Sequence, residues 1–365
     1  MLYVSLLTFI IPFIYVIVML YIQFQKQIIG DTIKNEFGDV ISSQTIPING
    51  FELVSNNMGS HTDMDVFGGE TYFTSSNGKV YRIDEYGFPR DFLSVPANST
   101  SQGGLLGIAF KGTNVYLSVN VGGDWQLWEV PRILGNPVVD DKRVVLSFSD
   151  STGAHQGGWI GFGEDGFLYI TLGDNGDPSL VNDLSQPWGK LLRIDVANVY
   201  GEQYSVPSGN PYNTSIDPIT KLIVGYGLNN PWRCMFYGNN LYIGDAQNGD
   251  KGTPTKQNVW KVTSNQASMS MYVLKDSPLF SYVTPFHGKI ILGAINNGEL
   301  TPDSDQLMFA DISSRSLYIW DAVNGVSTVK DIVLPSNVLT FSRGADGTIY
   351  SGVANGNLYK MSSVL

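Results

Sequence analysis

Hydrophobic and polar positions alternate along most of this chain in short runs that follow turns rich in glycine and asparagine. Runs of β-branched and aromatic residues bounded by Gly, Asn and Asp are typical of β-strands. Two kinds of run alternate along the chain, and there are six of each kind. The first kind occupies 69–74, 112–118, 166–171, 239–244, 288–293 and 347–352, and the second 79–84, 125–130, 190–196, 258–262, 316–321 and 357–361.

A repeat of about 40–70 residues that holds several strands is typical of one blade of a β-propeller. Six repeats therefore predict an all-β, six-bladed β-propeller over residues 49–365. We expect the segment Phe51–Ser55 to close the ring by pairing with the last blade, since pairing removes an exposed sheet edge. No segment after Phe24 shows a long helical period, and the 40 glycines agree with many hairpin turns.

The net charge and the cysteine count limit which partners and which covalent links this protein can have. The net charge of −11 disfavours binding to nucleic acid, because such a surface repels phosphate groups. Cys234 is the only cysteine, so an intramolecular disulfide is excluded. It lies in the apolar stretch PWRCMFY, and we expect a buried, unreactive thiol.

The N-terminus differs from the rest of the chain. Leu2 to Phe24 carries no charge, and 23 helical residues would extend about 34 Å, enough to cross a bilayer. We interpret residues 1–24 as an uncleaved signal anchor and 25–48 as a polar stalk. A cleaved signal peptide is the alternative, although the chain lacks a basic region before the apolar run.

Orientation in the membrane is indicated by two opposing signals. Lys26 and Lys34 follow the apolar run, which favours a cytoplasmic propeller. Asn98 and Asn213 begin N-glycosylation triplets, which favour the opposite side. We expect a single-pass membrane protein with its propeller on the extracytoplasmic or lumenal side.

The segment 154–177, AHQGGWIGFGEDGFLYITLGDNGD, is the richest in candidate chemistry. His155 precedes a Gly-Gly turn, where a ligand can approach the backbone closely. It is either a general base or an ordinary hydrogen-bonding loop residue. Asp174, Asn175 and Asp177 offer oxygen ligands for Ca²⁺, or form Asx turns.

Five further segments fall in a recognisable order. They are 101–110 (SQGGLLGIAF), 189–196 (GKLLRIDV), 204–212 (YSVPSGNPY), 225–236 (GYGLNNPWRCMF) and 242–247 (YIGDAQ). In this order and spacing the chain resembles the glucose/sorbosone dehydrogenase family over about residues 50–365. That family includes soluble quinoprotein sugar dehydrogenases, aldose dehydrogenases and relatives of the hedgehog-interacting protein. The resemblance implies a six-bladed propeller, in agreement with the repeat count.

The resemblance also implies a mechanism. Pyrroloquinoline quinone (PQQ) lies across the channel mouth together with Ca²⁺, and a histidine takes the proton of the sugar's anomeric hydroxyl while hydride passes to the quinone. The family histidine falls on His155 and the glutamine beside the cofactor on Gln102. The family's Arg-Asn pair falls on Asn229 and Asn230.

The Ca²⁺ ligands implied by the resemblance are backbone carbonyls near Gln247 and Asn248. The acidic pair that usually follows this loop is absent, since Lys256 and Gln257 stand in that region.

Other departures remove positive charge. Asn229 replaces the family arginine, the later lysine aligns near Ser314, and an R-x-R pair aligns near Asn337 and Leu339. PQQ has three carboxylates, so losing three or four cations would weaken its binding by about 5–10 kcal/mol. Two nearby arginines are candidate replacements, Arg315 and Arg343.

Two hypotheses follow. The first is a membrane-anchored sugar dehydrogenase that uses PQQ and Ca²⁺, which the presence of His155 favours. The second is a catalytically inactive propeller that binds a glycan or a protein partner, which the missing cations favour. A propeller hydrolase is disfavoured, because paired carboxylates at a clear spacing are absent.

Overall fold

Short apolar runs separated by turns form antiparallel strands throughout the computed structural model. It describes residues 50–98, 103–150, 152–197, 203–247, 255–264, 269–284, 289–297, 304–312, 316–333 and 337–361. These residues belong to one compact unit, Pro47–Leu365. They contain twenty-six strands and three short 3-10 helices but no α-helix, in agreement with the prediction.

The strands, in chain order, are β1 (Phe51–Ser55), β2 (His61–Phe67), β3 (Glu70–Ser75), β4 (Lys79–Ile83), β5 (Pro89–Ser94), β6 (Leu105–Lys111), β7 (Asn114–Val121), β8 (Asp124–Ile133), β9 (Asn136–Pro137), β10 (Arg143–Ser149), β11 (Ile160–Phe162), β12 (Leu168–Thr171), β13 (Lys190–Ile194), β14 (Ile223–Tyr226), β15 (Pro231–Tyr237), β16 (Asn240–Ala246), β17 (Thr255–Thr263), β18 (Tyr272–Val273), β19 (Phe280–Thr284), β20 (Ile290–Asn297), β21 (Ser304–Asp311), β22 (Ser316–Asp321), β23 (Gly325–Val333), β24 (Val338–Arg343), β25 (Ile349–Val353) and β26 (Leu358–Met361). The 3-10 helices are Val139–Asp141, Pro178–Asn182 and Thr220–Leu222.

Hydrogen bonds join these strands into five sheets, numbered here in chain order. Sheet I holds β2–β5, sheet II β6–β10, sheet III β11–β14 with β18, and sheet V β24–β26 with β1. Sheet IV has eight strands, in two four-stranded antiparallel halves: β15, β16, β17 and β19, then β20–β23. The halves meet at one parallel residue pair, Arg233 with Ile291, so they share a sheet where the sequence predicted two separate ones.

One predicted strand pair is wrong. The run 288–293 overlaps β20 and the run 316–321 is β22, but β21 lies between them and hydrogen-bonds to both. The other five pairs are hydrogen-bonded neighbours, as predicted. The prediction omitted β21 because its apolar residues follow Asp303-Ser304-Asp305 with no glycine turn before them.

The first strands of successive sheets surround a central channel. β2 contacts β6, β6 contacts β11, β15 contacts β20, β20 contacts β24, and β24 returns to β2. The remaining gap is bridged by Trp159 and Phe236, whose rings lie 5.9 Å apart. The described strands therefore form a closed propeller.

The N-terminal strand completes the last sheet, as predicted. β1 pairs antiparallel with β26, with Phe51 opposite Met361. Phe51 is fully buried and packs in the core of sheets IV and V. This pairing covers the sheet edge that β26 would otherwise expose.

Aromatic side chains fill the spaces between adjacent sheets. Tyr72 and Phe110 lie 4.4 Å apart between sheets I and II, and Phe73 and Tyr350 lie 5.5 Å apart between sheets I and V. Cys234 is buried in this packing, as predicted, and burial raises the pKa of its thiol to about 12.

The predicted signal anchor, residues 1–24, and the stalk, residues 25–48, lie outside the described residues. Within the described ranges no helix has the length and apolar character to span a membrane. The anchor therefore stays a prediction.

Candidate functional site

His155 lies in the loop before β11, at the channel end where the first strands begin; we call this the amino end. Its backbone has a φ of 51°, which few residues other than glycine adopt. The loop packs tightly, since a Cβ added to Gly173 would lie 2.0 Å from the His155 carbonyl oxygen and 2.8 Å from that of Asn229. Gly173 thus brings the backbones of His155 and Asn229 together.

A buried carboxylate holds the imidazole. His155 Nδ1 lies 2.8 Å from Asp174 Oδ1, and the side chain of Asp174 is 0% exposed while that of His155 is 22% exposed. Asp174 Oδ1 also accepts the backbone N–H of Gly176 at 2.9 Å, which fixes the carboxylate. A carboxylate on Nδ1 orients the ring and leaves Nε2 as the atom suited to proton transfer.

Asn229 also contacts the carboxylate that holds His155: its Nδ2 donates to Asp174 Oδ2 at 3.3 Å. The backbone N–H groups of Asn229 and Asn230 donate to Asp245 Oδ1 at 3.1 and 2.7 Å. Burial raises the pKa of Asp245 to about 7, although these two hydrogen bonds oppose the rise. Two buried carboxylates therefore position the loop that carries Asn229 and Asn230.

Two side-chain oxygens at this site lack a partner within the described residues. Asn230 Oδ1 and Gln156 Oε1 are buried and accept no hydrogen bond there. Gln156 Nε2 donates to Asp150, so the amide is held with its oxygen unused. A buried acceptor without a donor is costly, and a ligand that carries hydroxyl or N–H groups would satisfy it.

The acidic loop after β12 is a set of turns. Asp177 Oδ1 accepts the N–H of Ser179 at 2.9 Å and caps the 3-10 helix Pro178–Asn182. Asn175 Oδ1 lies 2.7 Å from Thr152 Oγ1. Over the described ranges, no group of three or more His, Cys, Asp or Glu side chains could hold a metal ion. The Asx-turn interpretation of this loop is thus the one that the geometry supports.

The remaining predicted site residues have separate locations. Gln247 follows β16, and its N–H donates to the carbonyl of Lys256 at 2.9 Å. Arg343 ends β24 at the opposite, carboxyl end of the channel, where its Nη2 donates to the Ile295 carbonyl at 2.8 Å. The structure therefore does not bring Arg343 together with His155. Gln102, Asn248 and Arg315 lie outside the described residues.

A cavity of about 500 Å³ occupies the carboxyl end. Apolar side chains dominate its wall, with Asp65 and Arg343 also lining it. Strand direction explains the position of Arg343, because each first strand runs from the amino end to the carboxyl end of the channel.

A buried ion pair crosses the channel between its two ends, and the sequence analysis did not anticipate it. Arg233 Nη1 in β15 lies 3.1 Å from Asp63 Oδ1 in β2, and both side chains are almost fully buried. Arg233 Nη2 donates to the Leu106 carbonyl at 3.1 Å, and Asp63 accepts the Ile108 N–H at 3.1 Å. The pair ties sheet IV to sheets I and II across the axis.

Three curated relatives share part of this sequence. Human Hedgehog-interacting protein is 37% identical over 97 residues, covering 25% of this chain and 14% of that protein. The HIPL1 protein of Arabidopsis thaliana is 35% identical over 97 residues, covering 23% and 14%. Aldose sugar dehydrogenase YliI of Escherichia coli K12 is 35% identical over 81 residues, covering 22% and 20%. The matched segments span about a fifth or less of these relatives.

Solved structures share the fold. The soluble aldose sugar dehydrogenase of Escherichia coli, in its apo form, superposes with a TM-score of 0.66 at 19% identity, covering 86% of this chain and 99% of that one. The PQQ-bound aldose sugar dehydrogenase of Streptomyces coelicolor gives a TM-score of 0.62 at 17% identity, covering 85% and 96%. At such identities the likeness shows the fold, an all-β propeller.

The family model described as Glucose / Sorbosone dehydrogenase matches residues 62–255, more than half of the chain. The matched range includes the His155 loop, Asp174 and the loop of Asn229 and Asn230. This protein belongs to the glucose/sorbosone dehydrogenase family.

Proposed function

We propose that this protein is a sugar dehydrogenase-like oxidoreductase that oxidises the C1 hydroxyl of an aldose, with His155 as the general base and PQQ as the hydride acceptor. The observation that carries the proposal is the contact of His155 Nδ1 with the fully buried carboxylate of Asp174. A loop histidine without a catalytic role needs no buried carboxylate behind it, whereas a base needs one to fix its ring.

The residues of this chain would act as follows. His155 Nε2 would take the hydroxyl proton, and Asp174 would stabilise the imidazolium that results. A well-placed base accelerates such a step by about 10²–10⁴-fold. The unused oxygen of Asn230 would accept a hydrogen bond from a sugar hydroxyl and so orient the substrate.

The described residues fit PQQ as a partner of this site. PQQ supplies a two-electron acceptor when bound. Its pyrrole N–H suits a buried acceptor such as Gln156 Oε1, which lacks a donor in the described part of the chain. Asn229 would act indirectly, because its amide donates to Asp174. Gln102 and Arg315 remain predicted contacts.

The proposal includes Ca²⁺ as a second cofactor of this site. Gln247 and Asn248 remain its predicted carbonyl ligands, and the observation in their favour is that Gln247 follows β16 at the amino end of the channel.

We also count the two halves of sheet IV as two blades, which makes a six-bladed propeller.

Anchoring is proposed from the apolar segment Leu2–Phe24, with the propeller on the extracytoplasmic or lumenal side. Asn98 supports this orientation because it is exposed, as a glycosylation acceptor must be. Asn213 supports it less, since its side-chain amide donates to the Ser208 carbonyl.

A second function, an inactive module that binds a glycan or a protein, is favoured by a specific observation. Asn229 replaces the family arginine, and its amide is engaged by Asp174 rather than held for a cofactor. Relatives that carry the name Hedgehog-interacting protein fit this alternative.

Calorimetric titration of the full-length chain, in mild detergent, with PQQ and Ca²⁺ tests the proposal, together with a dye-coupled assay of aldose oxidation. We expect PQQ to bind with micromolar or tighter affinity and aldoses to be oxidised. Absence of PQQ binding with both components in excess would reject the enzyme and favour the binding module.

A further inference from the structure

Lys289 is a cation that the sequence analysis did not single out. Its Nζ lies 4.2 Å from the ring centroid of Trp232, and within the described residues no carboxylate pairs with it. Burial and, to a smaller extent, the positive charge of the nearby Arg233 together lower the pKa of Lys289 to about 8. A partly buried ammonium of this kind is stabilised by a ring face, but an anion would stabilise it more.

Lys289 lies at the amino end of the channel, the end that carries His155. It directly precedes β20, as Asn230 directly precedes β15. Trp232 follows Asn230 by two residues, and its Nε1 donates to the carbonyl of Leu339 in β24 at 3.2 Å. The indole thus lies between β15 and β24, with the Lys289 ammonium over its face.

The charges nearest to Lys289 indicate the chemical class of the ligand it would bind. Asp63 balances Arg233 in the buried ion pair, whereas Lys289 adds a second positive charge. Arg233 Nε is also buried without a hydrogen-bond partner in the described part of the chain. The charge of Lys289 therefore has no carboxylate partner in the described part of the chain, although the protein's net charge is −11.

We propose that Lys289, seated on the ring of Trp232, binds a carboxylate of a small-molecule ligand at the amino end of the channel. The inference rests on the proposed function in that PQQ, a tricarboxylate, would be this ligand. Lys289 lies at none of the positions where the family resemblance places a cation. It would offset part of the charge lost at Asn229, Ser314, Asn337 and Leu339.

Lys289→Met tests the proposal, because it keeps the length of the side chain and removes the charge. Lys289→Arg is the conservative variant, and Lys261→Met, on the exposed face of β17, is the matched control. Each full-length chain, in detergent, is titrated calorimetrically with two probes. These are PQQ with Ca²⁺, and benzene-1,3,5-tricarboxylate in calcium-free buffer. Circular dichroism melts verify that every variant is folded.

We expect Lys289→Met to weaken PQQ binding about 10- to 100-fold, while Lys289→Arg and Lys261→Met stay within about threefold of wild type. Equal PQQ affinity in wild type and Lys289→Met would overturn the subsite and leave the proposed function intact. If wild type binds only the tricarboxylate, and loses it in Lys289→Met, the subsite stands and the PQQ-dependent function fails. Binding of neither probe by wild type would overturn both.

Discussion

His155 and Asp174 form a hydrogen-bonded pair at 2.8 Å, although nineteen residues separate them in the chain. The turn at His155 and the loop after β12 meet because Gly173 leaves no side chain between them. Asp174 is buried and His155 is partly exposed, which agrees with the proposed role of His155 as a base oriented by this carboxylate.

Asp174→Asn should lower the kcat of aldose oxidation by about 10- to 100-fold, since an amide cannot stabilise the imidazolium as a carboxylate does. The Kd for PQQ should stay unchanged. A lower kcat with an unchanged Kd would mark Asp174 as a positioning residue. Asp177→Asn, in the same loop but engaged only in a helix cap, is the matched control. Equal kcat loss in both variants would indicate general disturbance of the loop instead.

His155→Ala should reduce kcat by about 10²–10⁴-fold while the melting temperature stays close to that of wild type. The reason is that His155 contributes a proton acceptor at a partly exposed turn and little packing. Dye-coupled rates and thermal melts of the two proteins provide the measurement. An unchanged rate would remove His155 from the chemistry.

Asn229→Arg should raise PQQ affinity about tenfold, because a guanidinium restores a charge-assisted hydrogen bond to the cofactor. The structure adds a competing outcome, since Asn229 Nδ2 already contacts Asp174. An arginine that pairs with Asp174 would instead leave affinity unchanged and lower kcat. Calorimetry and dye-coupled rates on the same preparation distinguish these results, and a loss of PQQ affinity would contradict both.

Asp63→Leu should destabilise the propeller by about 3–5 kcal/mol, because it leaves the Arg233 guanidinium buried without its counter-charge. The double variant Asp63→Leu/Arg233→Leu should recover most of that loss. Urea denaturation gives the free energies of unfolding. Lys79→Met breaks an exposed ion pair with Asp91 and should leave the midpoint unchanged. A double variant no more stable than Asp63→Leu would argue against the ion pair as the cause.

The contribution of Asp65 to stability should fall as pH rises from about 4 to 8. Burial raises the pKa of Asp65 from 3.8 to about 7, so over this range the folded protein holds a proton that the unfolded chain has released. The stabilisation is complete below the unfolded pKa and is lost as pH rises through the folded pKa. For Asp65 alone the change is about 2–4 kcal/mol. In Asp65→Asn the midpoint of urea denaturation should change less with pH than in wild type. An equal change with pH in both proteins would contradict this assignment.

Local patterns predicted an all-β propeller and thirteen of the twenty-six described strands, because those thirteen carry a signal in their own residues. Runs of the type GFLYIT and NLYIG identify strands from their residues alone, and Phe51–Ser55 could be placed against the last strand from the need to cover an edge. β21 was missed because no glycine turn precedes it. The joining of two four-stranded halves into sheet IV was also not predicted. The halves are joined by a single residue pair, Arg233 with Ile291, and one such pair produces no pattern in the sequence.

The site was predicted in part for a similar reason. His155 and the Asn229–Asn230 pair lie in segments whose order resembles the family, so they could be named in advance. Their connection through Asp174 could not, because it depends on a contact between loops. The resemblance drew attention to Arg343 but not to Lys289. The direction of the first strands decides which of the two residues lies at the channel end that carries His155, and a single sequence position does not encode that direction.

The pairing of β1 with β26 bears on how this protein is made. The strand that opens the propeller has its hydrogen-bonding partner 300 or so residues later, with Phe51 opposite Met361. During synthesis β1 must therefore wait with an unpaired edge until β26, about 300 residues later, has left the ribosome. Contacts of such long sequence separation form slowly, and ring closure would be the last event of folding.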